Sequence, residues 1–113
     1  MEVWELIARE SIRDLIARYN ANGDSGRIDR VLELFTEDAE MATTTTPGGP
    51  LVVRKGHEEI ATIFTGRVSE WGQQAAERGA PSYVRHNTST IQIDVIDEGH
   101  AKSYCYFYVL MAH

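Results

Sequence analysis

The sequence is poor in the residues that mark several classes of protein. One cysteine, Cys105, excludes an intramolecular disulfide and a cysteine-based zinc cluster. Basic residues are also few, because eleven Lys and Arg stand against seventeen Asp and Glu, and the net charge is −6. Such a chain is poorly suited to neutralising nucleic-acid phosphates or to docking on an anionic membrane. No apolar run reaches the ~20 residues that span a bilayer, and the charged N-terminus does not have the pattern of a secretory signal.

Several catalytic motifs are missing as well. The chain has no glycine-rich phosphate loop followed by lysine and a helix, and no Gly-x-Ser-x-Gly nucleophile. Its four histidines show no metal-ligand spacing, and three of them are expected to be exposed: His57 at a helix start, His100 in a turn and His113 at the terminus. These observations predict a cytoplasmic, single-domain protein over residues 1–113 that uses no metal and no cofactor, with no nucleic-acid or membrane partner.

The spacing of apolar residues predicts an α+β fold. Apolar residues at intervals of three and four predict helices over about residues 8–19 and 28–35, separated by a turn-forming cluster at 20–26. Threonine-rich residues 39–46, the turn at 47–50 and residues 51–53 predict a hairpin. A third helix is expected after Gly56 and fades by Gly79. Residues 83–96 and 101–112 then predict a long hairpin closed by a turn at 97–100.

The last predicted strand is apolar at both odd and even positions. Cys105, Phe107 and Val109 alternate with tyrosines, so the strand is expected to be covered on both faces or to line a pocket on one. The sequence stops while this strand is still apolar, which suggests that further strands are missing from the record or that another chain supplies the pairing. A long unpaired apolar edge favours association between chains, so we expect a homodimer or a higher homo-oligomer.

Three polar residues are candidates for chemistry. His86 lies early in a strand whose later apolar residues are odd-numbered, so simple alternation would turn it away from them. A β-bulge among residues 87–90 would reverse the parity and turn His86 inward. Asp24 is either an N-cap of the second helix or a carboxylate that orients the imidazole. Tyr19 is either a core tyrosine or a phenol that binds a substrate oxygen.

Five stretches of the chain carry a resemblance to a known family. They are Ile16-Ala17-Arg18-Tyr19, Gly23-Asp24-Ser25-Gly26, residues 34–41 (LFTEDAEM), residues 55–60 (KGHEEI) and Arg85-His86-Asn87-Thr88. Together they resemble a SnoaL-like domain of the nuclear transport factor 2-like superfamily over almost the whole chain. The resemblance implies a cone-shaped α+β barrel, in which a curved, mostly antiparallel sheet and three helices surround a hydrophobic pocket. It also implies two more strands after His113.

The resemblance implies a catalytic dyad too. In scytalone dehydratase, bile acid 7α-dehydratase and lindane dehydrochlorinase, an Asp and a His occupy the positions of Asp24 and His86, and the dehydratases place a tyrosine where Tyr19 stands. The implied activity is that of a cofactor-independent lyase, similar to a dehydratase, acting on a small hydrophobic cyclic or polycyclic molecule. We expect the following residues to line its pocket: Phe64, Trp71, Tyr106, Tyr108 and Met111.

Two other functions remain open at this point. One is a non-catalytic domain that binds a small ligand or serves dimerisation, since a fold does not determine a function. The other is an isomerase similar to the ketosteroid isomerases of the superfamily. Tyr19 would match the oxyanion tyrosine of those enzymes, but residues 41–45 (MATTT) hold no carboxylate where their general base stands.

Overall fold

The computed structural model describes residues 1–65, 73–74, 76–79 and 83–112. The described residues form helices and antiparallel strands, which confirms the predicted α+β class, and residues 73–74 and 76–77 are helical in addition to the elements named next. These elements are, in order, α1 (Val3–Asp24), α2 (Ile28–Leu32), β1 (Glu40–Thr43), β2 (Val52–Lys55), α3 (Gly56–Thr65), β3 (Tyr83–Asp97) and β4 (His100–Ala112). The prediction that the third helix continues towards Gly79 falls largely outside the described residues.

The connection between α1 and α2 is tighter than the sequence predicts. Helix α1 continues through the residues read as a turn and ends at Asp24, and Gly26 then takes a φ of +74°, which only glycine adopts without strain. Helix α2 is shorter than predicted. The amides of Leu34 and Phe35 bond to carbonyls three residues earlier, so the chain leaves the α-helix in a tightened turn. The end of α1 is thereby held beside α2.

The strands pair as two antiparallel hairpins. β1 pairs with β2 and β3 pairs with β4, and the described strands form two two-stranded sheets. Helix α1 packs against β3, α2 contacts α1 and α3, and α3 contacts β1 and β2. The buried apolar side chains Val31, Ile60 and Ile93 come from α2, α3 and β3. The core therefore joins the helices to the long hairpin. Among the described residues, no helix combines the length and the hydropathy that crossing a membrane would require.

One face of β4 is exposed and rich in aromatic residues. Tyr104, Tyr106, Tyr108 and Leu110 alternate along the strand, and more than half of the surface of each is exposed. The rings of Tyr104 and Tyr106 pack edge to face, with centroids 5.6 Å apart. This is the strand from which self-association is predicted, and that association stays a prediction.

Candidate active site

A bulge in β3 decides which way His86 points. Ser89 pairs with Tyr106 and Gln92 pairs with Tyr104, so β3 has one residue more than β4 in this interval. Thr90 takes a φ of +55°, which is unusual for a β-branched residue and marks the distortion. Before the bulge, the face of the strand that carries His86 holds even-numbered residues. After the bulge, the same face holds odd-numbered residues, among them the buried Ile93. The predicted reversal of parity is confirmed.

The inward turn brings His86 to Asp24 at the end of α1. Nδ1 of His86 lies 2.5 Å from Oδ1 of Asp24, and the backbone amide of His86 donates to Oδ2 at 2.8 Å. Only 7% of the Asp24 side chain is exposed, against 32% for His86. Both carboxylate oxygens are engaged by one residue of β3. No side-chain hydrogen bond caps α2, so the N-cap interpretation of Asp24 is wrong.

This contact sets the protonation pattern of the imidazole. An ionised carboxylate can only accept hydrogen bonds, so Nδ1 must carry the hydrogen that it donates to Asp24. In the neutral ring, Nε2 is then the unprotonated nitrogen. Within the described part of the chain, no hydrogen bond engages Nε2. The ring of Phe107 lies 5.6 Å from that of His86 at an angle of 36° and packs beside it. The arrangement leaves Nε2 able to accept a proton from a ligand.

Tyr19 lies beside this pair on α1. Its ring packs edge to face on Phe35 and Phe64, with centroids 6.1 and 6.0 Å away. Burial, together with the negative charge of Asp24, raises the pKa of the Tyr19 phenol. The hydroxyl therefore stays protonated through the neutral range and keeps a hydrogen to donate.

The three residues border a largely apolar cavity of about 280 Å³, here called the chamber. It lies between α1, α3 and the β3–β4 hairpin, and Phe64 and Met111 form part of its wall, where the sequence places them. The remaining lining comes from Asn20, Gly23, Ile63, Val84 and Val109. A neighbouring space of about 260 Å³ also touches Tyr19 and His86 and extends to Cys105 and Phe107.

Two predicted wall residues lie elsewhere. Tyr106 and Tyr108 pair with Ser89 and Asn87, whereas His86 pairs with Val109 and shares the chamber face with it. Side chains alternate along a strand, so both tyrosines are on the opposite face, where they are 54% and 60% exposed. The prediction that they line the chamber is wrong for the cavity bounded by the described residues. Trp71, the fifth predicted wall residue, is not among the residues that the structure describes.

Two contacts near the site are not apparent in the sequence. The side-chain amide of Asn20 donates to Oγ1 of Thr88 at 2.7 Å and ties α1 to β3 one turn before Asp24. His57, expected to be an exposed residue at a helix start, is half-buried, and its Nε2 lies 2.8 Å from the carbonyl oxygen of Phe35. Both partners are distant in sequence, so local pattern gave no signal of either contact. His100, predicted to be a solvated turn residue, is exposed, and it is the first residue of β4, directly after the turn.

No group of three His, Cys, Asp or Glu side chains is placed to hold a metal ion in the described part of the chain. The chemistry that these residues can supply on their own is proton transfer by His86, charge stabilisation by Asp24 and hydrogen-bond donation by Tyr19.

The fold and the dyad together agree with a match to a family model. The model of the SnoaL-like domain matches residues 4–113, and the chain belongs to this family, within the nuclear transport factor 2-like superfamily. No curated protein matches the chain.

Two solved structures are similar to it. One, from Novosphingobium aromaticivorans DSM 12444, is described as a "Putative Scytalone Dehydratase". It has a TM-score of 0.74 and 18% sequence identity, and the match covers 98% of this chain and 64% of that one. The other is from Catenulispora acidiphila, with a TM-score of 0.64 and 26% identity, over 96% of this chain and 69% of that one. The chain thus spans less than two thirds of the Novosphingobium protein, and at 18% identity that likeness establishes the fold alone.

Proposed function

We propose that the protein is a cofactor-independent lyase, similar to a dehydratase, that acts on a small hydrophobic cyclic molecule. The observation that carries this proposal is the hydrogen bond between Asp24 and Nδ1 of His86 at the wall of an apolar chamber. This contact leaves Nε2 as the ring nitrogen that can accept a proton, which supports His86 as the base. Membership of a family that includes dehydratases and isomerases supports the same reaction class.

The proposed reaction is the loss of water from a ring that carries a hydroxyl group β to a carbonyl. Nε2 of His86 takes the proton from the carbon next to the carbonyl, and the electrons of that C–H bond move towards the carbonyl to form an enolate. When the electrons return, the new C=C bond forms and the C–O bond to the leaving hydroxyl breaks. The proton held by His86 passes to this oxygen, so water leaves and the imidazole is neutral again.

The neighbouring residues match the charges that develop in these steps. Asp24 stabilises the imidazolium and holds its ring plane. The protonated phenol of Tyr19 donates a hydrogen bond to the carbonyl oxygen as negative charge builds on it. Acid–base catalysis of this kind contributes about 10²- to 10⁴-fold in rate, and orientation of the substrate in the apolar chamber supplies the rest.

The walls indicate the substrate class. Phe64, Ile63, Val84, Val109 and Met111 offer apolar contacts, and the polar groups are grouped at Tyr19, Asn20 and the dyad. A hydrophobic ring with one polar edge matches this division, because the ring gains from burial and the polar edge finds hydrogen-bond partners.

A panel of cyclic β-hydroxy ketones incubated with the protein in deuterated water tests the proposal. We expect absorbance of a conjugated ketone to appear, with loss of one water seen by mass spectrometry and deuterium entering the carbon next to the carbonyl in recovered substrate. A rearranged product that has lost no water, whether or not it carries deuterium, would instead assign an isomerase. Saturable binding without product or exchange of that proton would contradict the proposal and indicate a ligand-binding domain.

A further inference from the structure

A third cavity lies against the dyad, on the flank of α1 next to the chamber. Its volume is about 530 Å³, and its lining includes Arg13, Arg27 and Arg85. We call it the arginine cleft. Asn20, Asp24 and His86 border both the chamber and the cleft, so the two spaces adjoin at the dyad.

The three arginines reach the cleft from different parts of the chain. Arg13 is on α1, Arg27 follows the glycine turn before α2, and Arg85 is on β3 next to His86. They are therefore not successive residues of one solvated helix face. Their convergence depends on the packing of α1 against β3.

Among the described residues, none of these guanidinium groups lies within salt-bridge distance of a carboxylate. Nε of Arg27 donates to the side chain of Asn22 at 2.9 Å, and Nη1 of Arg85 donates to the carbonyl oxygen of Val84 at 2.7 Å. Each guanidinium has five N–H donors, so most of its donors remain available.

Two carboxylates beside these arginines, Asp14 next to Arg13 and Asp24 at the border of the cleft, are already engaged. Asp14 pairs with Arg18 at 2.6 Å, and Asp24 pairs with His86. The cleft is therefore a positively charged surface on a protein whose net charge is −6. A local cluster of one sign on a chain of the other sign attracts small ions of opposite charge.

We propose that the arginine cleft binds the oxyanion group of a small molecule, namely a carboxylate or a phosphate. Guanidinium groups form paired, charge-assisted hydrogen bonds with such groups, and three arginines line this one space. The anion has two possible sources. It is either an acidic substituent of the molecule whose ring enters the chamber, or a separate anion that binds beside the dyad.

Titration with inorganic phosphate, followed by amide and arginine side-chain NMR shifts, tests the site. We expect saturable shifts that include Arg13, Arg85 and His86. Binding should weaken about tenfold in Arg13→Ala and in Arg85→Ala, and about a hundredfold in the double variant. Arg30→Ala is the matched control, because Arg30 is an exposed arginine of α2 that is not part of the cleft lining, and this variant should bind phosphate as the unaltered protein does.

A second pair of probes identifies the source of the anion. If the anion belongs to the chamber ligand, 2-naphthoate should bind at least tenfold more tightly than neutral naphthalene-2-methanol, phosphate should compete with it, and Arg13→Ala should remove the difference. If the anion is separate, phosphate should bind without displacing either naphthalene compound.

The proposal is overturned if neither phosphate nor 2-naphthoate binding depends on Arg13 and Arg85, or if Arg30→Ala weakens binding as much as the cleft variants do. All of these measurements are of binding in the absence of turnover. Failure of the lyase proposal would therefore leave them unchanged, and their failure would leave the lyase proposal standing. Both cleft arginines tested are exposed, so the variants should fold, which their NMR dispersion will show.

Discussion

Replacing His86 by alanine is expected to reduce the rate of elimination by about 10²- to 10⁴-fold, which is the range for loss of a general base. The substitution removes Nε2, the nitrogen that the contact of Nδ1 with Asp24 leaves able to accept a proton. The rate of water loss from the best substrate of the β-hydroxy ketone panel is the measurement. Binding of that substrate should change much less than turnover, because the apolar walls of the chamber remain.

His100→Ala is the matched control for this substitution. His100 also bonds through Nδ1 to an aspartate, Asp97, at 2.8 Å, but 76% of its side chain is exposed and it is the first residue of β4, far from the chamber lining. Its removal should leave turnover unchanged. If His86→Ala retained the full rate, or if both alanine variants lost the same fraction of it, His86 would not be the base.

Replacing Asp24 by alanine is expected to lower the free energy of unfolding by about 1.5–3 kcal/mol, the range for a lost hydrogen bond to a charged group. The carboxylate accepts both the backbone amide and the imidazole of His86, and these two bonds hold the end of α1 to β3. Asp24→Asn keeps one acceptor oxygen, so it should lose less stability than the alanine variant. Urea unfolding followed by circular dichroism measures the difference.

Asp97 provides the comparison for this stability effect. It accepts hydrogen bonds from His100 and from the amide of Gly99, and these lower the pKa of its carboxyl. The pair is exposed, and exposed ion pairs contribute little because water screens them. Asp97→Ala should therefore cost clearly less than Asp24→Ala. Equal losses would mean that Asp24 does not join α1 to β3 in the way described.

The orientation of His86 could be predicted from sequence because strand alternation has a strict period. His86 is even-numbered, whereas the apolar residues that follow it in the strand are odd-numbered. His86 can face the core with them only if one extra residue lies between, and the register shift between Ser89 and Gln92 supplies that residue. The role of Asp24 could not be decided in the same way. An aspartate between glycines suits both a helix cap and a partner for histidine, and only the packing of α1 on β3 distinguishes them.

The predictions about the chamber walls failed on β4, where the two faces of the strand do not differ in polarity. Both faces of β4 are apolar, so the alternation that placed His86 could not show whether Tyr108 or Val109 lies towards the chamber. The pairing of Val109 with His86 assigns the face. The arginine cleft was missed for a related reason. A single arginine at an exposed position has the pattern of a solvated surface residue, and the meeting of Arg13, Arg27 and Arg85 is a property of tertiary packing alone.

The protonation of the His86 ring tests the central claim most directly, because the whole mechanism depends on which nitrogen is free. Long-range ¹H–¹⁵N correlation spectra of the protein, recorded at a pH where this imidazole is neutral, distinguish the two tautomers by their nitrogen shifts. The geometry predicts hydrogen on Nδ1, bonded to Asp24, and an unprotonated Nε2. A spectrum that places the hydrogen on Nε2 would contradict the account, because that nitrogen could not then accept a proton from a substrate in the chamber.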